Sequence, residues 1–125
     1  MNQILVMVLD NPALLDQVLE AWTNAGARGI TVLDSIGVHR LHEANENNPP
    51  TFLGFRRLLR ATQYSHNTLF TVADEETIKR VVPATAAIVG DLNAPDTGIL
   101  FTFPVGQTWG LDKSPPSSSE GRETV

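Results

Sequence analysis

The feature that most constrains this chain is a pattern that occurs twice. Residues 4–36 and 67–103 each read as strand, helix, strand, and the polar stretch from Gly37 to His66 separates them. Two β-α-β units joined end to end predict a ferredoxin-like βαββαβ domain of the α+β class, with one antiparallel sheet and two helices. Right-handed crossovers place both helices on the same sheet face.

The local signals in the first unit agree with this plan. Ile4 to Leu9 is a continuous run of Ile, Leu, Val and Met, too short for a helix and suited to a strand buried on both faces. Asn11 is placed to cap a helix, and Pro12 suits its first position. Leu14, Leu15, Val18, Leu19 and Trp22 then recur at helical spacing. Gly26 ends that helix, because glycine tolerates the left-handed conformation. The second strand is expected over Gly29–Ile36.

In the second unit, Asn67–Ala73 reads as a strand and Asp74 as a helix cap, with Glu75 and Glu76 favouring the helix dipole. Ile78, Val81, Val82, Ala86, Ile88 and Val89 are its expected apolar face, and Pro83 is expected to kink or split it. A turn-rich loop, Gly90–Gly98, leads to a fourth strand, Ile99–Phe103, stopped by Pro104. Since the first strand has no polar side and two helices cover only one face, the other face calls for an oligomer packed through the sheets.

Composition narrows the function classes. A chain of 125 residues has room for one core, and 42% hydrophobic with 18% charged residues is globular rather than disordered. The formal net charge of −5 supplies no basic field for nucleic acid. Without cysteine there is no disulfide framework, thiolate zinc site or thiol catalysis. No window resembles a membrane span, and the N-terminus lacks the positive region of a signal peptide, so the expected location is the cytoplasm. The domain is expected over residues 1–111, with 37–66 as a long loop and 112–125 as a disordered, Ser- and Pro-rich tail.

A connection as long as 37–66 is uncommon inside a compact domain and is usually functional or disordered. Its first part contains His39, His42, Glu43 and Glu46, which could bring metal ligands together; without a diagnostic fourth ligand, a solvated polar loop is the simpler reading. Its second part alternates Phe52, Phe55, Leu58 and Leu59 with Arg56, Arg57 and Arg60. An amphipathic helix there would either plug a core edge or present arginines to an anionic partner. No Gly-x-Ser-x-Gly, His-Glu-x-x-His or phosphate-cradling Gly-x-x-x-x-Gly-Lys occurs. Acylphosphatase chemistry on this fold needs an arginine just after the first strand, where this chain has Asp10-Asn11-Pro12. The expectation is a protein that is not an enzyme.

Two strings resemble the PII nitrogen-regulatory signalling family. Ala25-Gly26-Ala27-Arg28-Gly29-Ile30-Thr31-Val32, with Gly37 after it, is similar to the family's Ala-Gly-x-x-Gly-x-Thr-Val-x-x-x-x-Gly. Gly98-Ile99-Leu100-Phe101-Thr102-Phe103-Pro104-Val105 is similar to its Gly-Lys-Ile-Phe-Val-x-Pro-Val. The resemblance spans about residues 3–111. It implies a homotrimer with sheets facing inward, and adenine-nucleotide binding in clefts between subunits. It also implies a long loop that docks on a target such as a metabolic enzyme, a transcription factor or a membrane transporter. The ligand-binding residues it implies are Gly37, Val38, His39 and Arg40 at the loop base, with Thr97 and Gly98 before the fourth strand; Arg56, Arg57 and Arg60 are the candidate partner contacts.

The departures from the family bear on the ligand. The family's Gly-Phe-Gly-Arg-Gln is Gly37-Val38-His39-Arg40-Leu41, and its phosphate-binding lysine is Ile99. Two later arginines fall at Gly110 and Asp112, and the lysine before the third strand falls at His66. Each lost cation removes a charge-assisted hydrogen bond of roughly 1.5–3 kcal/mol. Three functional expectations therefore stand side by side: a non-catalytic regulator sensing a small ligand, an interaction module with no ligand, and a metal-responsive protein using His39 and His42.

Overall fold

The structure is a computed structural model and describes residues 1–37 and 65–111. The order of elements is β1 (Asn2–Leu9), a 3-10 turn (Pro12–Leu14), α1 (Leu15–Asn24), β2 (Thr31–Ile36), β3 (Ser65–Asp74), α2 (Glu75–Val89) and β4 (Gly98–Pro104). The four strands form one sheet in the order β2-β3-β1-β4, antiparallel at every junction. This is the ferredoxin-like α+β architecture.

Local chemistry sets the element ends where the capping residues sit. The Asn11 side chain accepts a 3.0 Å hydrogen bond from the Ala13 N–H, and Asp74 accepts one of 2.9 Å from the Thr77 N–H. At the end of α1 the Ala27 N–H donates to the Trp22 carbonyl and the Gly26 N–H to that of Thr23. Gly26 has φ +110° there, so the two bonds and the glycine form a Schellman closure. Its apolar partners, Trp22 and Ala27, are both buried.

Register assigns the apolar residues of β1 to two faces. Leu5, Met7 and Leu9 are buried under the helices and lie opposite Thr71, Leu69 and Asn67 of β3. They form the core with Val18 and Trp22 of α1 and Val81 of α2. Ile4, Val6 and Val8 point to the other face with Val72, Phe70 and Thr68 of β3 and Phe103, Phe101 and Ile99 of β4. No described element covers that face: Ile99, Phe101 and Phe103 are 56%, 43% and 49% exposed. Phe101 and Phe103 stack along the strand with ring centroids 6.5 Å apart.

Of the expectations for α2, a split at Pro83 is excluded and the inward face is extended. The helix is not split at Pro83; it runs unbroken from Glu75 to Val89. Pro83 is exposed, and it lacks the N–H that would otherwise donate to the Lys79 carbonyl. Val81 is buried as expected and Ile88 and Val89 pack against the core, but Thr77 and Thr85 are buried too, while Ile78 and Val82 are only partly so. Thr85 is tolerated because its hydroxyl is satisfied twice. It accepts from the Trp22 indole N–H at 2.8 Å and donates to the Val81 carbonyl at 2.8 Å.

Candidate ligand sites

The candidate residues lie at two opposite ends of the sheet. At one, β2 finishes at Ile36 opposite Ser65, where the 37–64 connection leaves and returns, and β1 finishes at Leu9 opposite Gly98. Gly37 and the Thr97–Gly98 pair therefore share this end, but they sit on opposite sheet edges with β3 and β1 between them. Three strand spacings of about 4.8 Å separate them by roughly 14 Å within one chain. Val38, His39, Arg40, His42, Arg56, Arg57 and Arg60 lie outside the described residues.

Chain geometry already gives Thr97 and Gly98 a role. The Thr97 hydroxyl lies 2.9 Å from the Ala94 carbonyl and 3.5 Å from that of Leu92, closing the loop that enters β4. Asp91 orders the same loop: its carboxylate accepts from the Asn93 N–H and its carbonyl from the Ala94 N–H. Gly98 has φ +119°, and a Cβ there would sit 2.1 Å from the Val8 carbonyl oxygen. Only glycine permits this close pairing of β4 with β1.

The root of the long connection is tied by a polar cluster that the sequence did not mark. Ser35 Oγ lies 2.8 Å from both His66 Nδ1 and Thr68 Oγ1, and it donates to the His66 carbonyl at 3.2 Å. His66 is 7% exposed. On the helix face, the Asn67 side-chain amide donates to Asp34 at 3.2 Å. These cross-strand contacts hold β2 to β3 where the chain departs. Among the described residues, no group of three His, Asp or Glu side chains is placed to hold a metal. No helix among them is long and apolar enough to cross a membrane.

At the opposite end of the sheet is an open cleft of ≈ 460 Å³ whose lining includes Asn2, Gly26, Arg28, Asp74, Thr77 and Arg80. A smaller cleft of ≈ 200 Å³ adjoins it, sharing Arg28, Val72 and Leu111. The Arg80 guanidinium is fixed by two bonds, Nε–H to the Ala25 carbonyl at 2.9 Å and Nη2–H to Thr77 Oγ1 at 3.3 Å. The Arg28 backbone is held too, since its carbonyl accepts from the buried Thr71 hydroxyl at 2.8 Å. The Asp74 carboxyl is held below its ordinary value near 3.8, first by the backbone hydrogen bond from Thr77 and then by the Thr77 hydroxyl. Sequence reasoning singled out neither arginine. Arg28 lies inside the Ala-Gly-x-x-Gly string, but only folding brings Arg80 beside it.

No protein-family model matches this chain, and neither does any curated protein. Among solved structures, the Arabidopsis thaliana PII bound to citrate is similar, with a TM-score of 0.56 and 18% sequence identity. The match covers 83% of this chain and 77% of that one. The described chain thus shares the ferredoxin-like fold of a PII protein.

Proposed function

We propose that this chain is a non-catalytic, PII-like regulatory protein that forms a homotrimer through its open sheet face and controls a target protein through the 37–66 loop. The observation that carries this reading is the uncovered apolar face, built from Ile4, Val6, Val8, Phe70, Phe101 and Phe103. Fully burying a side chain of this kind contributes about 1.5–3 kcal/mol, so association is its natural fate. A second copy would also supply what one chain lacks. Gly37 and Gly98 stand on opposite edges, and a site using Gly37, Val38, His39 and Arg40 with Thr97 and Gly98 needs a neighbouring subunit to close it.

A small ligand in that cleft would order the loop and shift it between docking-competent and idle states. Arg56, Arg57 and Arg60 are the proposed contacts to the target. The ligand class is an adenine nucleotide or a carboxylate anion; the Arabidopsis PII structure holds citrate. The competing reading is an oligomeric interaction module with no ligand, favoured by the structural tasks that Thr97 and Gly98 already perform. Calorimetric titration of the full chain with ATP, ADP, AMP, cyclic AMP and citrate separates the two. Saturable heat from any of them supports the sensor, and silence from all removes it in favour of the module.

A further inference from the structure

We propose that the cleft between Arg28 and Arg80 is a separate binding site for a small oxyanion, a carboxylate or phosphate group, at the end of the sheet away from the loop. The charge balance is local and unlike that of the whole chain. Two arginines and one acidic residue, Asp74, line the ≈ 460 Å³ cleft in a protein of net charge −5. Neutral polar partners are present in Asn2 and Thr77.

The two arginines are positioned differently, and the difference assigns their roles. Arg80 is a fixed wall. Its bonds to Ala25 and Thr77 commit Nε and part of Nη2, and leave Nη1 without a hydrogen bond among the described residues. Gly26 makes room for it: a Cβ at that position would lie 3.2 Å from Arg80 Nη2. Capping α1 accounts for Arg80 by itself, but it does not account for Arg28. Arg28 has its main chain pinned by Thr71, while its exposed guanidinium has no hydrogen bond or ion pair among the described residues. A pinned backbone with an uncommitted guanidinium, lining the same cleft as an arginine already held by two bonds, is an arrangement suited to taking an anion. The charge-assisted bonds so formed are stronger than neutral ones.

The test uses the full chain and two probes, inorganic phosphate and succinate, titrated at constant ionic strength and followed by amide NMR shifts. Expected are saturable shifts at residues 25–29 and 74–77, weakened about tenfold or more in Arg28→Gln. Arg28 is exposed, so this variant should fold. Arg80→Lys, which keeps charge but not the fork, should weaken binding as well. Saturation by phosphate alone assigns a phosphate ligand, and by succinate alone a carboxylate. No saturation by either, or saturation unchanged in Arg28→Gln, overturns the proposal. Sedimentation of the same samples keeps this result apart from the regulatory reading. A monomer that binds anion removes the trimer and leaves this site, whereas a trimer that binds none does the reverse.

Discussion

The two faces of the sheet are made from alternate residues of the same strands, yet they reach opposite ends. On one, Leu5, Met7, Leu9 and Leu69 are sealed under α1 and α2 and wholly buried. On the other, Ile4, Val6 and Val8 are only half-buried, and the β4 aromatics remain largely open. Apolar content does not separate them. What separates them is that the described helices, α1 and α2, cover only one face. The covered face belongs to folding, and the open one is the face proposed for association.

Neighbouring residues of β1 offer the largest test of this contrast. Met7→Asp places an unpaired charge in a fully buried site, at a cost of several kcal/mol that a small domain cannot absorb. Circular dichroism should show it unfolded. Val6→Asp, one residue away, should keep the folded signal and instead lower the sedimenting mass to that of one chain. A wild type that sediments as a single chain at every concentration would erase the contrast.

Trp22→Ala should cost about 3–5 kcal/mol in urea denaturation, as cavity and lost transfer energy combine. An equal loss from Phe101→Ala under monomeric conditions would mean that the open face is not surplus to the single chain. Thr85→Val is a smaller perturbation, about 1–3 kcal/mol, because it leaves the buried Trp22 N–H without an acceptor. If it proves neutral, water reaches the interface between the helices.

The smallest expected effect lies at the α2 cap. The Asp74 carboxyl is depressed in the folded state, so its contribution is fully present above the ordinary carboxylate range near 3.8. It is lost as the pH falls through the lower folded value. The stability gap between wild type and Asp74→Ala should therefore narrow with acid, and a gap that is constant with pH would assign the cap to shape rather than charge.

Much of this fold was legible because its signals are local. Asn11, Pro12, Gly26 and Asp74 act on backbone groups within a few residues of themselves, so their roles follow from order along the chain. The continuity of α2 through Pro83 and the burial of Thr85 were not legible, for the opposite reason. The helix runs on through an exposed proline, and Thr85 is accommodated in the core by an indole that comes from the other helix. The candidate site was less legible still. Thr97 and Gly98 were read as ligand residues; Thr97 also closes its own loop through Ala94, and the close approach of Gly98 to Val8 appears only once β4 lies beside β1.

By itself, then, the sequence determined the succession of strands and helices, the places where helices begin and end, and the presence of more apolar strand surface than two helices can cover. These are properties of residues and their near neighbours. Tertiary structure decided which residues of β1 are core and which are open, joined Ser35 to His66 and Thr68, and set Arg28 beside Arg80. Each of these depends on segments distant in sequence meeting across a sheet or between helices, and no local preference specifies such a meeting.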